Sequence, residues 1–209
     1  MTMRRGLLWG ILVLALVAVA VATAVQRLKN PAAEALPLLG RVPAFTLTNQ
    51  DGKTVRLSDL AGRPWVADFV FTKCPSSCPI LSTQMSQLDR FLDQRGDAVR
   101  GVRLVSISVD PIHDTPPVLA RYAASFKASR RWLFLTGGRD EVYGLITQGF
   151  KLGVDDTPAP QVKGAEPIIH STRFVLVDGE GNIRGYYGAF TDGALEQLRS
   201  DLLQLAGAD

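Results

Sequence analysis

Few residues in this chain of 209 can do chemistry by themselves: two cysteines, Cys74 and Cys78, and two histidines, His113 and His170. The cysteines stand four apart in Thr72-Lys73-Cys74-Pro75-Ser76-Ser77-Cys78-Pro79. Four residues make about one helical turn, so both sulfurs can share a helix face. The apolar run Trp65 to Phe71 precedes them and reads as a buried strand. Ile80, Leu81, Met85, Leu88, Phe91 and Leu92 follow at three- and four-residue steps, which predicts an amphipathic helix to about Gln94. The pair therefore falls at a strand-to-helix junction. A helix N-terminus stabilises thiolates through its unpaired N–H groups and dipole, and Lys73 adds positive charge. Pro79 suits the first turn, where its missing N–H costs little.

Three chemistries suit such a pair: a structural disulfide, thiol–disulfide exchange, or binding of a soft metal. Closing so short a loop stabilises by only about 2 kcal/mol, and a domain of this size needs no staple. Exchange and metal binding remain. A third ligand would tip the balance to metal, and the histidines are the candidates. His170 ends a Gly-, Pro- and acid-rich stretch, 149–169, just before a core strand, at the sheet edge that faces the cysteine loop. His113 sits in the turn Asp110-Pro111-Ile112-His113-Asp114-Thr115-Pro116, where a solvated loop residue is the default. Two thiolates and one imidazole are too few for structural zinc, which takes four protein ligands. They suit copper: thiolates hold Cu(I) at low coordination number, and imidazole helps hold Cu(II).

The elements that must position these groups follow from the pattern. Phe45–Leu47 and Val55–Leu57 flank an Asp-Gly turn and read as a hairpin. Strands are expected at Val102–Val109, Trp132–Leu135, Thr172–Val177 and Ile183–Tyr187. Helices are expected from a Thr115 cap to about Ser129, over Asp140–Gln148, and from a Thr191 cap to about Leu205. Residues 149–169 read as a long loop. Alternating strands and helices, closed by strand–turn–strand–helix, predict a thioredoxin-like three-layer α/β/α domain with an N-terminal hairpin and an inserted loop.

Charge and length narrow the setting. There are 23 Lys and Arg against 20 Asp and Glu. Residues 1–29 carry Arg4, Arg5, Arg27 and Lys29 and no acid, so the other 180 residues sum to −1. The basicity belongs to the N-terminus, and no dense cationic run in the body suits nucleic acid. Gly6 to Val25 is an apolar stretch of 20 residues, about 30 Å as a helix, the thickness of a bilayer core. Arg4 and Arg5 favour a cytoplasmic N-terminus. Ala22-Thr23-Ala24 leaves a cleaved signal peptide as the other reading. The expected organisation is a cytoplasmic N-terminus at 1–5, a transmembrane anchor or signal segment at 6–25, a tether at 26–40, and the domain at 41–209.

Three motifs carry a family resemblance. FVFTKCPSSCPIL (Phe69 to Leu81) resembles the Sco/SenC family. VSISVDPIHDTP (Val105 to Pro116) is similar to that family's S-x-D-P-x-x-D-T-P segment, and IIHSTRFVLVD (Ile168 to Asp178) to its His-bearing strand entry. They occur in the family's order over about half of the exported domain. The resemblance implies one copper ion per chain, Cu(I) or Cu(II), held by Cys74, Cys78 and His170. It implies a metallochaperone for the CuA centre of cytochrome c oxidase, single-pass in the inner membrane, with its domain in the periplasm. The partners it implies are the CuA-bearing subunit, and further copper chaperones or thiol oxidoreductases. Asp110 carries over as a motif residue. Many members place an acid directly before the histidine, where this chain has Ile169.

The alternative function is a thiol–disulfide oxidoreductase that uses Cys74 and Cys78 as a redox pair and delivers no metal. Three residues between the cysteines, where dithiol oxidoreductases usually carry two, count against it. A peroxidase-like site would need a supporting Thr and Arg, for which Thr72 and Arg173 are present.

Overall fold

The computed structural model describes residues 35–155 and 168–207, together with Leu14 and Val17. The chain divides into two units, 1–35 and 36–209. In the first, Leu14 and Val17 are helical and exposed. The remainder of the 6–25 segment, and of the tether as far as residue 34, lies outside the described residues. Among those residues no helix is long and apolar enough to cross a membrane.

The second unit is built on an eight-stranded sheet. Its strands are β1 (Gly40–Arg41), β2 (Thr46–Asn49), β3 (Thr54–Arg56), β4 (Trp65–Val70), β5 (Arg103–Ser108), β6 (Trp132–Thr136), β9 (Arg173–Val177) and β10 (Asn182–Gly188). A separate two-stranded sheet joins β7 (Val154–Asp155) to β8 (Ile169–His170). Strand order in the large sheet is β1-β10-β9-β4-β5-β6-β2-β3. The helices are α1 (Ser77–Asp93), α2 (Pro116–Ser125), α3 (Arg139–Gly144) and α4 (Ala194–Ala206).

Strands β4, β5 and β6 run parallel as neighbours. Two successive right-handed crossovers in one direction place both connecting helices on the same face. Contacts bear this out: Tyr122 of α2 meets Phe134 of β6 at 6.0 Å, and the Ser82 and Tyr122 hydroxyls of α1 and α2 lie 2.9 Å apart. Helix α4 joins this layer through Asp201, which accepts a hydrogen bond from Tyr187, and Arg199, which lies 5.2 Å from the Phe91 ring of α1. The segment after β6 crosses the opposite face. There Phe150 packs edge-on against Trp65 and Phe69 at 6.1 and 5.1 Å. The expected three-layer thioredoxin-like arrangement is present.

Several boundaries differ from the sequence expectation. Gly40 and Arg41 pair with Ile183 and Asn182, so Gly40, the last residue assigned to the tether, already belongs to an edge strand of the sheet. The expected hairpin is present as β2–β3, and it docks onto β6. Helix α2 stops at Ser125 because Phe126 leaves helical geometry and Lys127 takes a positive φ of 56°. The helix expected over 140–148 is α-helical only to Gly144 and continues as a π-turn over Leu145–Gly149. That wider turn delivers Phe150 to the core. The cap of α4 is Gly193, in the left-handed region at φ 75°, not Thr191; Thr191 instead accepts a bond from Ala194 N–H at 3.2 Å through its carbonyl. The expected 149–169 loop is closed at both ends by β7 and β8; residues 156–167 lie outside the described residues.

Candidate metal centre

Sheet register brings the site together. Strands β4 and β9 are antiparallel neighbours, with Ala67 opposite Val175. Extending that register by four residues sets Phe71 level with Ser171, next to His170. The loop leaving β4 and the chain entering β9 must therefore meet at one edge. The Phe71 and His170 rings stand perpendicular at 5.5 Å.

The Cys74 and Cys78 sulfurs and a His170 ring nitrogen all lie within 4.8 Å of one another. The three residues are buried, at 7%, 0% and 8% exposure. Both cysteines are in the thiol form. Cys74 Sγ accepts the Cys78 backbone N–H at 3.2 Å, so this sulfur satisfies one of the open donors of the α1 N-terminus. Cys78 Sγ accepts the Phe71 N–H at 3.4 Å and lies 3.3 Å from His170 Nε2. His170 Nδ1 lies 3.1 Å from the Ser171 carbonyl oxygen. A carbonyl can only accept, so Nδ1 carries a proton; Nε2 then presents its lone pair to the sulfurs in the neutral ring and donates to them in the charged ring. Ser77 Oγ bridges at 3.6 Å from Cys74 Sγ and 3.5 Å from Nε2.

Hydrogen bonding from Cys78 holds the Cys74 thiol far below its ordinary value, outweighing burial; His170 and the N–H groups of Cys78 and Ser76 add to the effect. The site thus favours thiolate at neutral pH, the form that binds metal and attacks disulfides.

Two buried carboxylates lie near this arrangement, and sequence reasoning gave neither a role. Asp114 is fully buried. Its carboxylate accepts the Thr72 hydroxyl at 2.6 Å, the Thr72 N–H at 3.1 Å and the Ser108 hydroxyl at 2.6 Å. It ties the cysteine loop to the end of β5. Asp110, the motif residue singled out from sequence, instead closes its own turn, accepting the His113 and Asp114 N–H groups through its carbonyl at 3.1 and 2.9 Å. Asp68, also fully buried, lies opposite Ser106 in the β4–β5 register. Neither oxygen has a hydrogen bond of good geometry among the described residues. Burial pushes its carboxyl up to about 7, with Ser106 and His170 pulling the other way. The signal for Asp68 was available: it interrupts an otherwise apolar strand six residues before Cys74.

The other candidates fall away from the centre. His113 is half-buried in the turn after β5 and does not join the ligand group. Lys73 is exposed. Thr72 is committed to Asp114, and Arg173 lines a cavity of about 440 Å³ beside His170.

A thioredoxin-like sheet with two thiols and an imidazole converging at a helix N-terminus defines a class: small proteins built to hold a soft metal or exchange a disulfide. The SCO1/SenC family model matches residues 39–205, and the chain belongs to that family. The SCO1 protein homolog of Bacillus subtilis (strain 168) is 34% identical over 168 residues, covering 79% of this chain and 83% of that protein. The structure of BsSco, "a member of the Sco family of cytochrome c oxidase assembly proteins" with a disulfide switch, matches at a TM-score of 0.69 and 34% identity, covering 83% of this chain and 97% of that one. Bradyrhizobium japonicum ScoI with copper bound matches at a TM-score of 0.65 and 25% identity, covering 79% and 99%.

Proposed function

We propose that this protein is a copper metallochaperone that binds one copper ion through Cys74, Cys78 and His170 and helps assemble the CuA centre of cytochrome c oxidase. The carrying observation is the convergence of three donor atoms within 4.8 Å. Two thiolates and one imidazole satisfy Cu(I) and leave Cu(II) coordinatively open, which suits an ion that must be released. Copper is here the cargo, and the CuA-bearing subunit its acceptor. The copper-bound state of the Bradyrhizobium relative and the oxidase-assembly role of BsSco's family support the reading.

The same proposal places residues 1–5 in the cytoplasm, 6–25 as a single-pass anchor in the inner membrane, and the folded unit in the periplasm. Arg4, Arg5 and the apolar stretch support that topology. N-terminal sequencing tests it: a mature chain starting at Val25 would replace the anchor with a cleaved signal.

Titration with Cu(I) under reducing conditions, and separately with Cu(II), tests the metal site. One equivalent should bind, with a sharp loss in His170→Ala. Equal affinity of wild type and His170→Ala in both oxidation states would refute the three-ligand site. The second reading, thiol–disulfide exchange without metal, is favoured by the thiolate-stabilising bond from Cys78 N–H to Cys74 Sγ. Exchange that proceeds undiminished in His170→Ala, with no copper bound by the wild type, would select it.

A further inference from the structure

Delivery of the ion requires contact. The three donors are almost closed off, at 7%, 0% and 8% exposure, so an acceptor reaches them only by seating its own surface on the surrounding rim. That rim is unusual. The exposed large hydrophobic side chains of the folded unit, among the described residues, are Leu38, Leu39, Ile80, Ile112 and Phe190. The last three belong to segments that leave the sheet at the edge that carries the site.

Ile80, 44% exposed, is two residues beyond Cys78 in the first turn of α1. Ile112, 80% exposed, tips the turn after β5. Strands β4 and β5 are parallel, so this turn leaves the sheet beside the cysteine loop. Phe190, 59% exposed, follows β10, which is antiparallel to β9 and therefore ends at the same edge as β4. Its turn is held to α1 by Gln84, whose amide donates to the Ala189 carbonyl at 2.8 Å one helical turn beyond Ile80.

The turns that carry Ile112 and Phe190 are held by hydrogen bonds. The Ile112 turn is closed by backbone bonds from His113 and Asp114 to Asp110, and Asp114 fastens it to Thr72 at 2.6 Å. The Phe190 turn is fixed by Ala189 N–H donating to the Thr172 carbonyl at 2.9 Å. An apolar side chain held in water on a fixed turn loses little entropy on docking, which is how binding hot spots are made. Charge orders the flanks. Lys73 is exposed on the cysteine loop, and Lys151 and Arg173 line the cavity shared with His170. The acids nearby, among the described residues, are Asp110, engaged in its own turn, Asp155, opposite Ile169 in the β7–β8 pair, and Asp192, exposed beyond Phe190. The rim is thus apolar toward α1 and β5, and toward His170 two cations, Lys151 and Arg173, line the cavity against the single acid of β7.

We infer that Ile80, Ile112 and Phe190 form the docking face for a folded protein acceptor whose metal-receiving loop lies in an apolar patch with an acidic flank. The inference rests on the delivery reading above and adds the surface through which it works.

The test uses the full chain in detergent, loaded with Cu(I), and the CuA-bearing domain of the oxidase as acceptor. Ile112→Ser and Phe190→Ser should each slow transfer to that domain about tenfold, and Arg173→Glu should flatten the dependence of the rate on salt. Transfer to a small-molecule Cu(I) chelator, which needs no docking face, should stay within about twofold of wild type. Unchanged transfer to the domain overturns the proposal. Equal slowing in both arms also overturns it, because the damage then lies in the site. So does binding of this face to lipid vesicles or to a second copy of the chain, lost in the same variants. Chemical-shift titration of the two apo proteins separates the readings. Binding that is lost in the variants, without copper transfer by wild type, sustains the surface and refutes delivery; no binding by wild type overturns the surface.

Discussion

The Asp114 carboxylate lies 2.6 Å from the Thr72 hydroxyl, joining residues 42 apart in sequence. Thr72 is two residues before Cys74, so this bond sets the path of the metal-binding loop. Asp114 also accepts from Ser108 at 2.6 Å and from Thr72 N–H at 3.1 Å. Asp114→Ala would strand three donors, the Ser108 hydroxyl fully buried and the two of Thr72 half-buried, and should destabilise the domain by about 2–4 kcal/mol. Denaturant melts measure that loss. Copper affinity should fall as well, since the loop loses its fastening. A fully stable Asp114→Ala with normal affinity would deny Asp114 this role.

Asp68 carries a pH signature. Its carboxyl is pushed up to about 7 in the folded protein by burial, against about 3.9 in an unfolded chain. The folded state therefore holds a proton that the unfolded state has released. Stability should be greatest below about pH 4 for this group and decline as pH rises toward 7. The upper bound is ~4 kcal/mol across that window. Asp68→Asn should flatten the decline in urea melts of the metal-free protein between pH 4 and 8. A slope identical to wild type would assign the titration elsewhere.

The two thiols should react unequally. Cys74 is held well below the ordinary thiol value by hydrogen bonds from Cys78 and His170, and Cys78 is fully buried. Alkylation of the reduced, metal-free protein, read by mass spectrometry, should label Cys74 first. Its rate should stay nearly level from pH 6 to 8, where an ordinary thiol gains about tenfold per pH unit. First labelling at Cys78 would contradict the assignment.

Gly179 marks a close approach distant from the metal centre. A Cβ there would stand 2.8 Å from the Gly62 carbonyl carbon and 2.9 Å from Arg63 N. Both are backbone atoms, and Gly62 N–H donates to the Gly179 carbonyl at 2.8 Å. Gly179→Ala should cost about 1–3 kcal/mol through overpacking and leave copper affinity unchanged. A thermal shift measures the first and a competition titration the second.

Much of this was legible in the residues themselves. The spacing of Cys74 and Cys78 at a strand-to-helix junction, and the run of alternating strands and helices, specify the fold class and the thiol pair through local periodicity. Position already favoured His170 over His113, and register supplies the reason: antiparallel pairing of β4 with β9 carries His170 to the cysteine loop across 92 residues. The roles of Asp110 and Asp114 could not be separated from the motif, because both are acids in one turn. Only packing buries Asp114 against Thr72 and Ser108 and leaves Asp110 to its own backbone. Helix ends at Ser125 and Gly193 likewise depended on positive φ at Lys127 and Gly193, conformations that the hydrophobic pattern does not encode. Local spacing determined which side chains could hold an ion. Tertiary pairing decided which of them meet, because a register between distant strands is a property of the whole sheet.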